Sequence, residues 1–172
     1  MIGLKVNKDA GRWYPVHTHS KAEKKAYEAL TNKGIEAYLP LQKQLRQWSD
    51  RKKWIEEPFI KSYLFVHIKE NELTDVLTTK GIARFIYFSG KAASIPEDQL
   101  ANLKLLMASE VELEITELNL QPGEKVIIKA GPLKGFKGEI VSYRSQKQLA
   151  LRLENLGYSI IIHVAASMIE RY

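Results

Sequence analysis

The chain has 172 residues, a net charge of +6 and no cysteine. Its length suits one ordinary domain or two small ones, and the missing cysteines exclude a disulfide scaffold and thiol catalysis. No apolar run approaches the ~20 residues of a membrane span, and the N-terminus lacks the apolar core of a signal peptide, so we expect a cytoplasmic protein without membrane contact. The positive charge suits a polyanionic partner and, equally, an ordinary solvated surface.

The sequence of residues 1–109 predicts one domain. Its elements follow the order strand, helix, strand, strand, helix, strand, and one more helix comes after them. This order is the ferredoxin-like unit, in which helices cover one face of an antiparallel sheet. The last helix is expected to begin at Pro96, because proline is tolerated at the first helical position. The strands are expected at residues 12–17, 36–41, 59–68 and 82–88.

The first predicted helix has the clearest boundaries in the chain. Ser20 and Glu23 have the spacing of a capping box, in which each side chain accepts a hydrogen bond from a free backbone N–H. Gly34 is expected as the left-handed residue that ends the helix, with Ile35 packing back on Leu30.

Residues 110–120 contain four glutamates and no basic residue, which predicts a loose acidic linker, although residues 111–115 also alternate like a strand. Residues 121–172 consist of short β-branched segments separated by glycines, and this spacing predicts a small all-β barrel. Segments such as 126–128 and 160–162 favour strands over helices because β-branched side chains lose χ1 freedom in a helix. The predicted fold class is therefore α+β, with a ferredoxin-like domain before the linker and an SH3-like barrel after it.

No motif in the chain carries catalytic chemistry. The glycine patterns that bind nucleotides are absent, and the four histidines fall on separate strands or turns. Two neighbouring histidines without a carboxylate or thiolate do not make a metal site. We therefore expect a protein that is not an enzyme and that needs no metal and no cofactor.

The predicted strand at 59–68 carries a candidate interaction surface. Alternation places Tyr63 and Phe65 on one face and Leu64 and Val66 on the other. The aliphatic pair should face the helices, which leaves the aromatic pair on the open face as a binding surface. Two alternatives stay open: the last helix or the linker covers this face, or the partial RNA-recognition signature of this strand stacks on RNA bases.

The excursion at residues 42–57 interleaves tryptophans with basic residues. Such a mixture suits a nucleic-acid backbone with bases stacked on the aromatic rings. The alternative is a small hairpin whose two tryptophans pair across the strands and stabilise only the hairpin itself. The candidate nucleic-acid-binding residues here are Arg46, Arg51, Lys52 and Lys53, beside Trp48 and Trp54.

Several segments have the residues of a known family, namely Trp13-Tyr14, residues 58–66, residues 81–85, Ile95-Pro96 and residues 123–138. The first four resemble the N-terminal domain of the NusG family of transcription elongation factors, which includes RfaH, and the last resembles its KOW domain. Residues 38–40 and 47–53 further resemble the UpxY-type paralogues, which antiterminate transcription of capsular polysaccharide operons.

The resemblance implies a transcription elongation or antitermination factor that docks on the clamp helices of RNA polymerase and contacts non-template DNA or nascent RNA. The positions that match the docking surface are His17, Tyr63, Phe65, Phe85 and Phe88. Those that match the DNA contacts are His19, Lys25, Thr79 and Lys80. In the second domain, Leu156 and Tyr158 match a hairpin that binds ribosomal protein S10 or the Rho terminator.

Three functions stay open on the sequence, and a monomer is expected for each. They are an operon-specific antiterminator, a general NusG that couples polymerase to Rho or the ribosome, and a ribosome-associated RNA-binding module. Added salt separates the first from the third, because polyphosphate recognition loses orders of magnitude in affinity whereas apolar docking changes little.

Overall fold

The computed structural model of the protein describes residues 10–119 and 121–172. Residues 1–9, which the sequence assigned to the first domain, and Leu120, which it assigned to the linker, lie outside these ranges. Within the described ranges, no helix is long and apolar enough to cross a membrane.

The described residues form two compact units that divide between Glu97 and Asp98. The sequence predicted the end of the first domain later, at residue 109. The difference arises because the last helix is grouped with the second unit. At the start of that helix, the Gln99 side-chain Nε2 donates a hydrogen bond to the backbone oxygen of Arg152, 2.6 Å away.

The first unit contains a four-stranded antiparallel sheet, two short hairpins and two helices. Its elements are β1 (Arg12–Thr18), α1 (Glu23–Asn32), β2 (Glu36–Tyr38), β3 (Leu41–Gln47), β4 (Lys52–Pro58), β5 (Tyr63–Ile68), α2 (Leu73–Leu77), β6 (Ile82–Phe85), β7 (Tyr87–Phe88) and β8 (Lys91–Ala92). The sheet has the strand order β2-β5-β1-β6, and the pairs β3–β4 and β7–β8 form separate two-stranded sheets. The ferredoxin-like order that the sequence predicted is confirmed.

Three strands of this sheet are shorter than the sequence predicted. β6 ends at Phe85, and Tyr87–Phe88 belong to the separate β7–β8 pair. β2 ends before the chain enters the β3–β4 hairpin, whose first pair is Leu41 and Pro58. β5 begins at Tyr63 instead of Phe59, because Ser62 has a left-handed backbone conformation (φ 62°) that a strand does not accommodate.

Both helices of the first unit pack on the aliphatic face of the sheet, as predicted. Leu64 and Val66 of β5 are fully buried with Val16 of β1, in a cluster that includes Leu30 of α1 and Val76 of α2. Residues two apart on a strand share a face, and the register pairs Val16 with Leu64. Since burying one such side chain contributes roughly 1.5–3 kcal/mol, this cluster stabilises the unit.

The end of α1 is the motif that the sequence predicted. Gly34 has a φ of +77°, which glycine adopts without the steric cost of a Cβ. The Ile35 N–H donates a hydrogen bond to the Leu30 carbonyl (3.0 Å), and the Gly34 N–H donates to the Thr31 carbonyl (2.9 Å). These two bonds define a Schellman motif and satisfy carbonyls that the helix leaves free.

The start of α1 differs from the predicted capping box. The helix begins at Glu23, and no described side chain caps its first turn. Lys21 has a left-handed backbone (φ 59°), which turns the chain between Ser20 and the helix. The buried Glu23 carboxylate accepts a hydrogen bond from the Ser62 N–H at 2.8 Å instead. A contact with a distant part of the chain therefore takes the place of the local one.

Ser62→Gly is expected to raise the free energy of unfolding of the first unit by roughly 0.5–1 kcal/mol, because glycine relieves the left-handed strain while both backbone contacts remain. The Ser62 N–H still bonds Glu23, and its carbonyl still accepts from the Thr18 N–H at 2.9 Å. Urea denaturation followed by tryptophan fluorescence measures the change, because all three tryptophans precede residue 97. Ser20→Gly, at an exposed position without positive φ, is the control. A loss of stability in Ser62→Gly would assign a structural role to the hydroxyl.

The second unit contains an antiparallel sheet of six strands and the helix α3 (Glu97–Ala108), except for Glu97, which is grouped with the first unit. The strands are β9 (Leu113–Thr116), β10 (Glu124–Ile128), β11 (Lys137–Tyr143), β12 (Gln146–Leu153), β13 (Tyr158–Ile162) and β14 (Ile169–Arg171). Their order is β14-β10-β11-β12-β13-β9. The prediction of an all-β second domain is confirmed. Its buried face includes Leu151, Leu153, Ile160 and Ile162, the β-branched and aliphatic positions of β12 and β13.

Part of the acidic linker forms a strand. Leu113–Thr116 pair with the edge of β13, so the prediction of a tether throughout 110–120 is wrong at these residues. The Glu114 carboxylate accepts hydrogen bonds from the Tyr143 hydroxyl (2.6 Å) and from the Arg144 guanidinium (2.7 Å). Pairing occurs because β13 would otherwise leave the backbone groups of a very apolar strand open at the edge of the sheet.

Candidate interaction surfaces

Phe65 is fully buried, and the prediction that it lies exposed on the open face is wrong. It does lie on the face opposite Leu64, but its neighbours in register are Pro15 on β1 and Tyr38 on β2. The Tyr38 ring stacks on it with 6.4 Å between ring centroids, and burial raises the pKa of Tyr38 to about 12. Phe65 is therefore a core residue at the centre of the sheet, and the alternative that the last helix or the linker covers this face stays a prediction.

Phe85 is also fully buried, so its predicted place on the docking surface is wrong. It pairs with Val16 and belongs to the cluster that faces α1 and α2. Its ring meets the Tyr14 ring edge-on, with 6.1 Å between centroids. Phe85 lies on the helix side of the sheet because its partner in register is Val16, and paired residues on neighbouring strands share a face.

His17 and Tyr63 form an aromatic pair where β1 and β5 lie side by side. They are partners in register, both are half-buried, and their rings meet edge-to-face at 5.0 Å between centroids. Burial lowers the pKa of His17, and the nearby Arg84 guanidinium and His19 lower it further, which favours the neutral form of the ring. The His17 Nδ1 is buried and has no hydrogen-bond partner among the described residues. This pair presents an aromatic surface with one unsatisfied polar atom.

The β7–β8 hairpin exposes two aromatic rings. Phe88 is 75% exposed and Tyr87 is 56% exposed. Ser89 and Gly90 join the two strands, and both have positive φ, as a two-residue hairpin turn requires. The sequence predicted Phe88 as a docking residue but missed Tyr87 and the hairpin, for which the Ser-Gly pair between two short apolar segments was the signal.

A second surface lies where the start of α1 meets the loop before β6. The His19 N–H donates to the Gly81 carbonyl at 2.9 Å, which holds these two segments together. Lys25 on α1 and Lys80 beside Gly81 are exposed, as His19 is. In the described part of the chain, no carboxylate lies within ion-pair distance of either lysine. This polar surface therefore has unpaired positive charge.

Thr79 does not belong to that polar surface. Its side chain is buried, and its hydroxyl donates to the Asp75 carbonyl at 2.8 Å and accepts from the Lys33 Nζ at 2.9 Å. The prediction that Thr79 contacts nucleic acid is therefore wrong for its side chain. The bond to Asp75 closes the end of α2, and the bond from Lys33 joins this segment to the end of α1, so Thr79 has a structural role.

The excursion at 42–57 is a hairpin of seven residue pairs, as one of the two alternatives predicted. The predicted pairing of its tryptophans is wrong, because Trp54 lies opposite Leu45. Trp48 lies in the turn, where its backbone N–H donates a hydrogen bond to the Arg51 carbonyl at 2.7 Å. Trp54 is 65% exposed and Trp48 is 54% exposed. The Lys24 Nζ donates to the Glu56 carbonyl at 2.5 Å and so joins the hairpin to α1.

The basic residues of this hairpin differ in their availability. Arg46 forms an ion pair with Glu57 at 2.5 Å. Arg51, Lys52 and Lys53 are exposed, and no described carboxylate pairs with them. These three residues provide the positive charge that a polyanion would meet.

In the second unit, the β12–β13 connection carries the two predicted partner-binding residues. Leu156 and Tyr158 are half-buried on either side of Gly157, whose φ is +70°. Tyr158 and Arg152 line a shallow cleft together with residues 117–119. No group of three or more His, Asp or Glu side chains is placed to hold a metal ion anywhere in the described ranges.

Residues 11–104 match the family model described as transcription termination factor NusG. The chain is 24% identical over 179 residues to the transcription termination/antitermination protein NusG of Borreliella burgdorferi, covering 92% of this chain and 97% of that protein. It is also 24% identical to the protein of the same name from Staphylococcus aureus, over 94% of this chain and 96% of that one.

The fold is similar to a solved structure of Thermotoga maritima NusG, determined for domain interaction in that protein. The TM-score is 0.55 and the identity 18%, with 96% of this chain and 99% of that chain covered. The likeness supports the arrangement of a ferredoxin-like domain followed by an all-β domain. Because the family model matches more than half of its residues, the chain belongs to the NusG family of transcription termination and antitermination factors.

Proposed function

We propose that the chain is an elongation and antitermination factor that docks on RNA polymerase through the aromatic residues of its first unit. The observation that carries this proposal is a set of rings accessible to solvent: the exposed Phe88 and Tyr87 on the β7–β8 hairpin, and the half-buried His17–Tyr63 pair. All four lie in the part of the chain that matches the family model. Exposed aromatic side chains are enriched among residues that dominate binding energy.

The proposed mechanism involves no bond making. A factor that binds the closed, elongating form of polymerase better than the paused form shifts the population toward elongation by its differential affinity. Lys25, Lys80 and His19 add contacts to the non-template DNA, since unpaired positive charge favours a phosphate backbone. A cytoplasmic, monomeric protein without a cofactor fits this role.

The operon-specific form of this function is the one we favour. It is supported by the resemblance of residues 47–53 to the UpxY-type paralogues. A general NusG role, with S10 or Rho bound at the KOW domain, is supported by the partly exposed Leu156 and Tyr158. The RNA-binding module loses support, because the buried Phe65 offers no face for a base to stack on.

The docking proposal is tested by capture of RNA polymerase core on the intact chain. Tyr63→Ala and Phe88→Ala are each expected to cost ~2 kcal/mol of binding, roughly a thirtyfold loss of affinity, because they truncate aromatic anchors. The lost component should depend little on salt, as apolar contacts do. Tyr27→Ala, at a 37%-exposed tyrosine on α1, is the matched control and should bind like wild type. If wild type and all three variants captured polymerase equally well, the proposed docking surface would be wrong.

A further inference from the structure

The β3–β4 hairpin exposes its large apolar side chains. Trp54 is 65% exposed, Trp48 is 54% exposed and Leu45 is 48% exposed. The hairpin forms a two-stranded sheet of its own, and such a pair of strands has little core to bury them in. A cluster of exposed apolar side chains on one hairpin, where they contribute little to folding, indicates a binding surface.

The register of the hairpin sorts its side chains into two faces. Leu45 lies opposite Trp54, and Gln47 lies opposite Lys52, so these four residues share one face with the Lys43–Glu56 pair. The other face carries the Arg46–Lys53 pair. Lys52 therefore stands two residues before Trp54 on the side of the turn, whereas on the other side Lys43 lies opposite the carboxylate of Glu56. Positive charge is concentrated at the turn end of the exposed indole, and Lys43, Trp54 and Glu56 line the same shallow cleft.

The charge of the hairpin and its exposed indole rings indicate which kind of ligand it binds. Residues 43–53 contain five basic residues and one acidic residue, a net charge of +4. Exposed indoles beside basic side chains are the combination that binds single-stranded nucleic acid, since phosphates meet the charges while bases stack on the rings. Base pairs in a duplex are stacked on one another, so a duplex offers the indole no free base face.

We propose that this face of the hairpin binds single-stranded nucleic acid, with an unpaired base stacked on Trp54 and phosphates held by Lys52 and Arg51 at the turn. The inference deepens the proposed function, because a transcription bubble provides unpaired DNA and nascent RNA. It is a site separate from the aromatic docking residues Tyr63 and Phe88.

Intrinsic fluorescence of the intact chain tests the proposal without polymerase. Trp13 is only 6% exposed, so quenching by an added strand reports on the two hairpin tryptophans. Titration with 20-nucleotide dT and rU strands is expected to quench the emission, whereas a 20-base-pair duplex at equal phosphate concentration leaves it unchanged. The dT and rU arms show whether DNA or RNA is preferred.

Substitutions then locate the site. Trp54→Ala is expected to weaken single-strand binding roughly tenfold, while Trp54→Phe, which keeps a stacking ring, retains most of the affinity. Replacing Arg51 and Lys52 by Gln should lower the slope of log affinity against log salt by about 1.4, at ~0.7 per lost phosphate contact, whereas Lys53→Gln on the other face should leave the slope nearly unchanged. Binding of the variants is followed by anisotropy of a labelled strand, because the substitution at Trp54 changes the emission itself.

Three results would overturn the proposal. They are a Trp54→Ala variant that binds the single strand like wild type, a duplex that quenches as well as the single strand, and an acidic peptide that quenches equally. Trp54→Ala should still capture polymerase core, because its docking residues are intact. Failure of polymerase capture by the wild-type chain would instead contradict the proposed function and leave the single-strand measurement valid.

Discussion

Phe65→Ala is expected to lower the free energy of unfolding of the first unit by about 3–5 kcal/mol, which is the cost of truncating a fully buried phenylalanine. The loss includes the apolar surface of the ring and the cavity left between Pro15 and Tyr38, its neighbours in register. Because a domain of this size is stable by only ~5–15 kcal/mol, the variant should be largely unfolded at moderate urea. Its polymerase binding then fails because the unit unfolds.

Tyr63→Ala is the matched comparison, two residues away on the same face of β5. Its ring is half-buried and contacts His17, so truncation should cost roughly 1–2 kcal/mol. Urea denaturation of both variants, followed by tryptophan fluorescence, measures the difference in the midpoint. If Phe65→Ala were as stable as wild type yet lost polymerase binding, Phe65 would be the exposed anchor that its sequence pattern suggested.

Gly123→Ala is expected to destabilise the second unit by about 3 kcal/mol or more, at or above the upper end of ordinary overpacking. A Cβ built at Gly123 would lie 1.4 Å from the backbone oxygen of Ile140. That oxygen belongs to β11, the strand that pairs with β10 directly after Gly123. Because the obstacle is backbone, no side-chain rotation relieves it, and β10 has to shift relative to β11.

Gly157→Ala separates this steric effect from ordinary glycine strain. Gly157 has a φ of +70°, but a Cβ there meets no atom of the described chain within 4 Å. Its replacement should therefore cost only ~1 kcal/mol, the price of a left-handed alanine. Amide hydrogen exchange across β10–β13 measures both variants, because the second unit contains no tryptophan. Equal losses would show that β10 relaxes around the new Cβ easily.

The sequence by itself determined the features that depend on neighbouring residues. The Schellman end of α1 needs only Gly34, Ile35 and the helix before them, and these lie within six residues of Leu30. The strands of the second unit follow from runs of β-branched residues, whose χ1 restriction is an intrinsic property. Alternation along β5 likewise separated Leu64 from Phe65 correctly, because the period of a strand is a property of its backbone.

Tertiary structure alone decided which of these faces is open. Phe65 and Phe85 are buried because residues on other strands lie beside them in register, and alternation carries no information about those neighbours. Glu23 bonds Ser62, 39 residues away, instead of capping its own helix. β9 forms because β13 has an edge to pair with. In each case the free energy comes from a partner distant in the chain, which local patterns of residues do not encode.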